Sequence, residues 1–372
     1  MLFFNLSAFY FFYFAATGIY VIFLPKVLND IGYSYFDIGI VLAIAPLMRF
    51  AVPFLFLKHI KLDNKIFIVA LITSIVGVSC FYLTLEHFFL FLLNNAILAA
   101  ALSLILPYLE VIAISNLGKE GYGKTRLFGS IGFMAIAIVL AKVLTSSFIA
   151  IHFYLVVIVL TAIFSIVLLK YEVKNEIETP DNKKFSFFKY FPFWLALFFM
   201  QFSFGGFYNF FTIYETDHGM SLEMTSYLWA FGVICEILML YFQAPILKKN
   251  LENLIKICLA ITAFRWYLLY LYPNSLEIAF FTQSLHAFSF GLFHTASIMY
   301  LYSLYENKKL AQQFMYGFAY GLGGFLGALV AGKTYGENLF LYSAIFAMFA
   351  FIAMYFVNSP LPKDRGFLTG NF

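Results

Sequence analysis

Several ionisable side chains in this 372-residue chain sit deep inside apolar runs, where water is scarce. They are Arg49, Glu110, Glu236, Arg265, His286 and His294, accompanied by Asn94, Asn95, Asn209 and Gln283. A charge in such surroundings must pair, face a water-filled path or carry a proton, so each is a functional candidate. Arg265 lies about eleven residues into one apolar run and His286 about ten into the next, both near mid-depth at ~1.5 Å per residue. Glu236 lies somewhat past the middle of the preceding run. Three ionisable groups from consecutive runs thus share a depth. Chance accounts for this poorly, while a purely structural cluster is the competing reading. His294, eight residues beyond His286, falls about 80° round a regular helix, and reads equally well as a satisfied core histidine.

A second charged pair flanks a turn. The polar, Gly-rich centre of Pro107–Phe133 predicts a tight turn between two apolar helices. Glu110 and Arg126 each stand eight residues from Gly118, so an antiparallel pair turning there brings them to one depth, about 12 Å below the tip. Spacing alone leaves two readings open: an ion pair locking two helices, or the charged wall of a translocation cavity. Proton chemistry narrows the field further. Arginine cannot release a proton, which excludes Arg49, Arg126 and Arg265 as carriers. With Glu110 held by Arg126, the remaining candidates are Glu236, His286 and His294.

The elements that must position these groups are membrane helices. The chain is 63% hydrophobic and only 11% charged, where a soluble domain carries about 25% charged residues. Its mean hydropathy is +0.88. Twelve apolar runs of bilayer-spanning length are expected at 4–24, 35–57, 66–84, 88–112, 125–146, 149–169, 189–212, 222–243, 254–272, 276–303, 312–333 and 338–357. The opening run is read as the first helix and not a signal peptide. With 51 Phe in the chain, many must face lipid, so aromatic stripes say little about ligands. Cys80, Cys235 and Cys258 lie inside apolar runs and read as core residues without a disulfide framework. Of 23 Lys and Arg, eighteen fall in one alternate set of loops, from Lys58, Lys61 and Lys65 to Lys363 and Arg365. The positive-inside rule then places both termini in the cytoplasm.

The chain also repeats itself. Asp30-Ile-Gly32-Tyr-Ser34 precedes the second run, and Asp217-His-Gly219-Met-Ser221 precedes the eighth. At the same offset Arg49 aligns with Glu236. Leu127-Phe-Gly129-Ser-Ile-Gly132-Phe133 is likewise matched by Ala319-Tyr-Gly321-Leu-Gly-Gly324-Phe325. The expected organisation is therefore an all-α membrane protein of twelve transmembrane helices in two six-helix bundles. Residues 1–170 form the first bundle, 171–188 a charged cytoplasmic linker and 189–372 the second bundle with a short tail. Parallel halves of this kind are a transporter plan. Gly317, Gly321, Gly324 and Gly327 read first as a helix-packing face. There is no Cys/His metal spacing, no phosphate-binding Gly-Lys-Ser/Thr and no nucleophile elbow, so no metal, cofactor or enzymatic reaction is expected.

These residues give the chain a resemblance to the major facilitator superfamily, in particular to the phenylpropionate permease family and its relative lactose permease. The resemblance runs over nearly the whole length. It rests on Phe11-Phe-Tyr-Phe-Ala-Ala-Thr-Gly18 and Ala45-Pro-Leu-Met-Arg49, on Pro107-x-x-Glu110 followed by Tyr122-Gly-Lys-Thr-Arg126, and on Asn209-Phe-Phe-Thr212 and Cys235-Glu236. Most specific are Arg265-Trp266 and Gln283-Ser-Leu-His286-Ala-Phe-Ser-Phe-Gly-Leu-Phe-His294. The resemblance implies a secondary active transporter in a bacterial inner membrane, working by alternating access. It implies proton-coupled symport of a small organic solute, whether aromatic carboxylate, sugar or nucleoside. Substrate binding falls to Glu110, Arg126, Asn209, Arg265 and His286, and proton coupling to Glu236 and His286. Arg49, Gln283 and His294 are further intramembrane polar groups. The expected partners are a small-molecule substrate, protons and the lipid bilayer; nucleic acid is not among them, and a monomer is expected. Two departures matter. Ser289 stands where lactose permease has a glutamate central to coupling, so His286 lacks an acidic partner on its own helix and Glu236 becomes the favoured proton site. The superfamily's Gly-x-x-x-Asp loop is degraded to Phe54-Leu-Phe-Leu-Lys-His-Ile-Lys-Leu-Asp63-Asn-Lys65. An uncoupled facilitator or lysolipid flippase on the same fold is the alternative, with a membrane-embedded enzyme or sensor behind it.

Overall fold

The computed structural model describes residues 1–59, 63–172 and 186–357, without the side chains of 53–59, 119, 120 and 309. Most of the expected linker, part of the Phe54–Lys65 loop, and the basic residues Lys61, Lys174, Lys183, Lys184, Lys363 and Arg365 lie outside the described residues. Among those described there is no strand. That follows from the composition, because in lipid a helix satisfies its own backbone polar groups.

Twelve helical segments follow one another among the described residues, ten of them long and apolar enough to cross a membrane. They are α1 (Leu2–Asp30), α2 (Tyr35–His59), α3 (Asn64–Thr84), α4 (Phe88–Gly118), α5 (Gly121–Val143) and α6 (Ser147–Tyr171). The second six are α7 (Phe188–Asp217), α8 (Leu222–Phe242), α9 (Leu251–Leu271), α10 (276–304), α11 (Leu310–Lys333) and α12 (Leu339–Tyr355). The sequence boundaries are short by several residues at α1 and α7, whose helices run on to Asp30 and Asp217. Capping side chains fix many of the starts. Asp63, Ser221, Asn250, Ser275 and Asn307 each accept a backbone N–H three residues on. Exposed apolar residues such as Leu83, Phe89 and Leu93 form the outward, lipid-facing surface.

The expected hairpin turns at Gly118, whose φ of 66° is the only non-helical geometry between Phe88 and Val143. The internal repeat is also a repeat of local structure. Gly32 and Gly219 take φ of 95° and 92°. Ser34 and Ser221 then accept the N–H of Asp37 and Met224 at 3.2 and 3.1 Å. Each half therefore enters its second helix through the same left-handed glycine and serine cap.

Three contacts join the halves: α2 on α11, α5 on α8, and the end of α1 on the second half of α7. They converge at the end of the bundle away from the basic loops. There Tyr35 stacks on Tyr335 at 3.9 Å between ring centres. Both hydroxyls donate to Oδ2 of Asp217, at 3.2 and 2.7 Å. Beside them Gly39 and Gly332 bring α2 and α11 backbone to backbone; a Cβ on Gly39 would lie 2.9 Å from Cα of Gly332. This end is sealed. At the basic end the α4–α5 hairpin shows none of the extensive packing on α10 or α11 that α2 makes on α11, among the described residues.

Candidate functional site

A cavity of about 330 Å³ lies between the halves. Its walls come from α1, α2, α5, α7, α8, α10 and α11, while α3, α4, α6, α9 and α12 contribute no lining residue. Three of the lining helices carry wide π turns, at Ile19–Phe23, Ala287–Leu292 and Tyr316–Gly323. These turns bring Tyr20, Phe290 and Tyr320 to the cavity surface. Such turns are frequent at functional sites because they re-aim side chains out of the regular register.

Glu236, Arg265 and His286, expected from sequence to share a depth, meet here. Arg265 of α9 is fully buried. Its Nη1 donates to Nδ1 of His286 at 3.0 Å and to Oγ of Ser289 at 2.9 Å, and its Nη2 donates to Oε1 of Gln283 at 3.1 Å. The guanidinium also packs on the rings of Phe207 and Trp266, each centred 4.4 Å from Cζ. Ser289 thus fills the missing acidic position as a neutral acceptor for the arginine. Because a guanidinium only donates, Nδ1 of His286 accepts, and the ring hydrogen is assigned to Nε2. That nitrogen faces Oε2 of Glu236 at 3.7 Å. Glu236, His286 and Gln283 line the cavity, with Arg265 behind them. The arginine therefore holds two lining side chains in fixed orientation without opening onto the space itself.

His294 is brought closer to this column than a regular helix allows. The π turn rewinds the expected 80° offset, and the rings of His286, Phe290 and His294 stack successively at 5.4 and 6.0 Å. Nδ1 of His294 lies 2.5 Å from the Tyr320 hydroxyl. It does not line the cavity.

On the opposite wall, Arg126 reaches Oε1 of Glu110 from Nε at 3.9 Å. An unbroken helix would set these residues about 24 Å apart, so the turn at Gly118 creates the pairing. Tyr122 donates to the same oxygen of Glu110 at 2.9 Å, and the Phe14 ring lies 3.8 Å under the guanidinium. Arg126 lines the cavity and Glu110 stands behind it. Asn209 also lines it, its amide donating to Gly205 O at 2.8 Å. Asn94 and Asn95 lie elsewhere: their amides donate to Gly77 O at 2.9 Å and Val41 O at 2.8 Å, tying α4 to α3 and α2.

Sequence reasoning missed Glu215. It is fully buried near the sealed end of α7, and neither carboxyl oxygen has a hydrogen-bond partner among the described residues. The expected end of the seventh run, at 212, places it in a loop. The continuing pattern Phe210, Phe211, Ile213 and Tyr214 is the available signal that the helix runs on. The seal formed by Tyr35, Asp217 and Tyr335 was also missed, since it joins two helix ends and a loop that are far apart in the sequence.

An all-helical chain of twelve spans, with a polar cluster in a cavity between two halves, has the architecture of a major facilitator transporter. The chain belongs to the MFS_1 like family, whose model matches residues 3–351. It is 28% identical over 308 residues to the "Uncharacterized transporter YwbF" of Bacillus subtilis, covering 80% of this chain and 77% of that one. It is 23% identical over 364 residues to the "Probable 3-phenylpropionic acid transporter" of Escherichia coli, covering 91% and 93%. Among solved structures, the nucleoside transporter NupG superposes with a TM-score of 0.75 at 16% identity, covering 96% of this chain and 100% of that one. A bacterial homologue of the lysosomal transporter Spinster superposes at 0.68 with 13% identity, covering 96% and 98%. The protein is a multi-pass membrane transporter.

Proposed function

We propose that this protein is a proton-coupled symporter that moves a small organic acid with an aromatic body by alternating access. The observation that carries the reading is the Glu236–His286–Arg265 chain at the cavity wall. His286 cannot accept a second proton at Nδ1 without giving up Arg265. Glu236 has no such bond to lose and is the proton site. Arg126, Asn209 and His286 face the solute, while Glu110 and Arg265 position Arg126 and His286 from behind. The aromatic walls, among them Phe14, Phe207 and Trp229, suit an aryl group. The printed name of the Escherichia coli relative supports the same solute class. Residues 1–170 and 189–372 act as the two rocking halves, around the linker that begins near Tyr171. The bias of Lys and Arg to one end supports an inner-membrane protein with both termini in the cytoplasm, working as a monomer, its cavity open toward the cytoplasm in this conformation.

The test is uptake of 3-phenylpropionate into proteoliposomes, alongside a sugar and a nucleoside. A proton moving with a monoanion transfers no net charge. One pH unit, alkaline inside, is then worth about 1.4 kcal/mol and supports about tenfold accumulation. A membrane potential alone drives none. Accumulation driven by potential would point to an uncharged solute, and uptake that never rises above equilibrium would leave an uncoupled facilitator.

A further inference from the structure

Three guanidinium groups surround the cavity, and they differ in what is left for a ligand. Arg265 is fully buried, with three side-chain acceptors and two aromatic rings around it. Arg126 faces the cavity with Glu110 beside it and Phe14 stacked on it. Arg49 also lines the cavity but is exposed within it. Its only hydrogen bond among the described residues is from Nε to Ala45 O, in its own helical turn, at 3.5 Å. No carboxylate lies within ion-pair range of Arg49 among the described residues. Its forked Nη groups are therefore free to meet a carboxylate side-on, the geometry for which guanidinium is suited.

Depth gives Arg49 a counterpart. It lies fourteen residues from the start of α2 at Tyr35 (49 − 35), and Glu236 lies fourteen from the start of α8 at Leu222 (236 − 222). The two helices begin with the same glycine and serine cap and occupy equivalent places in the two halves. Arg49 and Glu236 thus stand at one level, on opposite halves, lining the same space. We propose that Arg49 is the receptor for the substrate's carboxylate, and that when the halves close without substrate Glu236 takes that carboxylate's place. Occupied by substrate, Arg49 leaves Glu236 to be neutralised by a proton. Without substrate, Arg49 and ionised Glu236 neutralise each other as the halves close. Proton and anion then cross together or not at all. The inference rests on the symport reading above but assigns it a residue that reading does not use.

Binding to detergent-purified protein tests it with two probes, 3-phenylpropionate and the uncharged 3-phenylpropionamide. Wild type should prefer the carboxylate. In Arg49→Gln the carboxylate should weaken by about 10- to 100-fold, the loss of a charge-assisted hydrogen-bond pair, and the amide by less than about threefold. If Arg49→Gln fails to fold, Arg49→Lys, which keeps the charge without the fork, should lose about tenfold for the carboxylate alone. An unchanged preference for carboxylate over amide in either folded variant overturns the assignment, as does a wild type without that preference. Failure of the coupling reading looks different: the carboxylate preference and its loss in Arg49→Gln persist, while a pH gradient drives no accumulation.

Discussion

Arg265→Lys keeps the buried charge and removes the fork, so it isolates what the guanidinium geometry contributes. The guanidinium satisfies His286 Nδ1, Ser289 Oγ and Gln283 Oε1 from two nitrogens, at 2.9 to 3.1 Å. An ammonium on a different stem can reach one of these, leaving two acceptors unpaired in a buried site. At about 1.5–3 kcal/mol for each charge-assisted bond, the loss is about 3–6 kcal/mol. Stacking between Phe207 and Trp266 is lost as well, worth about 1 kcal/mol or more. Burial costs the more strongly hydrated ammonium at least as much as the guanidinium, so it does not offset the change. The variant should therefore melt well below wild type in detergent. Its half-saturation for solute should also rise, because His286 and Gln283 lose their fixed orientation at the cavity wall. A variant that melts within about a degree of wild type, with unchanged transport kinetics, would refute the positioning role. Gln283→Ala is the matched control: it removes one bond only and should fall between the two.

The remaining predictions concern the seal, the hairpin and the topology. Gly332→Val should clash with the α2 backbone, where Tyr35 O lies 2.7 Å and Gly39 Cα 2.8 Å from a Cβ at that site, and hold the sealed end open; Thr17→Cys, on the cavity wall, should then become reactive to an impermeant maleimide from the periplasm. Tyr335→Phe, which deletes one bond to Asp217, should shift the same equilibrium by only about fivefold. Exchanging the charges of the hairpin pair, as Glu110→Arg with Arg126→Glu, should restore expression but not transport, because Arg126 faces the cavity and Glu110 stands behind it; restored transport would make the pair purely structural. Alkaline phosphatase fused after Lys249 should be inactive and after Asn274 active, since only the periplasm activates it; the reverse pattern would invert the assigned orientation.

The parts of the fold legible from sequence were those governed by the bilayer. Apolar length and the punctuation of Gly118, Gly32 and Gly219 are local properties, and each produces the turn it signals. The Glu236–Arg265–His286 cluster was legible for a related reason: ionisable residues are costly in lipid, so their few positions at one depth carry information. What escaped depended on contacts across the sequence. Nothing around residue 289 shows that Ser289 will accept from Arg265, because that depends on how α9 packs on α10. The stacking of His286, Phe290 and His294 required a π turn, which hydrophobic periodicity does not reveal. Glu215 was hidden by ending α7 five residues early. Arg49 was visible as a deep charge, yet its freedom shows only once Arg126 and Arg265 are seen with their partners.

In the proposed mechanism Glu236 carries the coupled proton. Glu236→Gln keeps the shape of the side chain and cannot titrate, so proteoliposomes loaded with the variant separate coupling from binding. Under a gradient of one pH unit, wild type should accumulate 3-phenylpropionate about tenfold and Glu236→Gln not at all, while both exchange labelled for unlabelled solute across the membrane. Uphill accumulation by Glu236→Gln at the wild-type level would exclude Glu236 as the proton site and move the proton to His286.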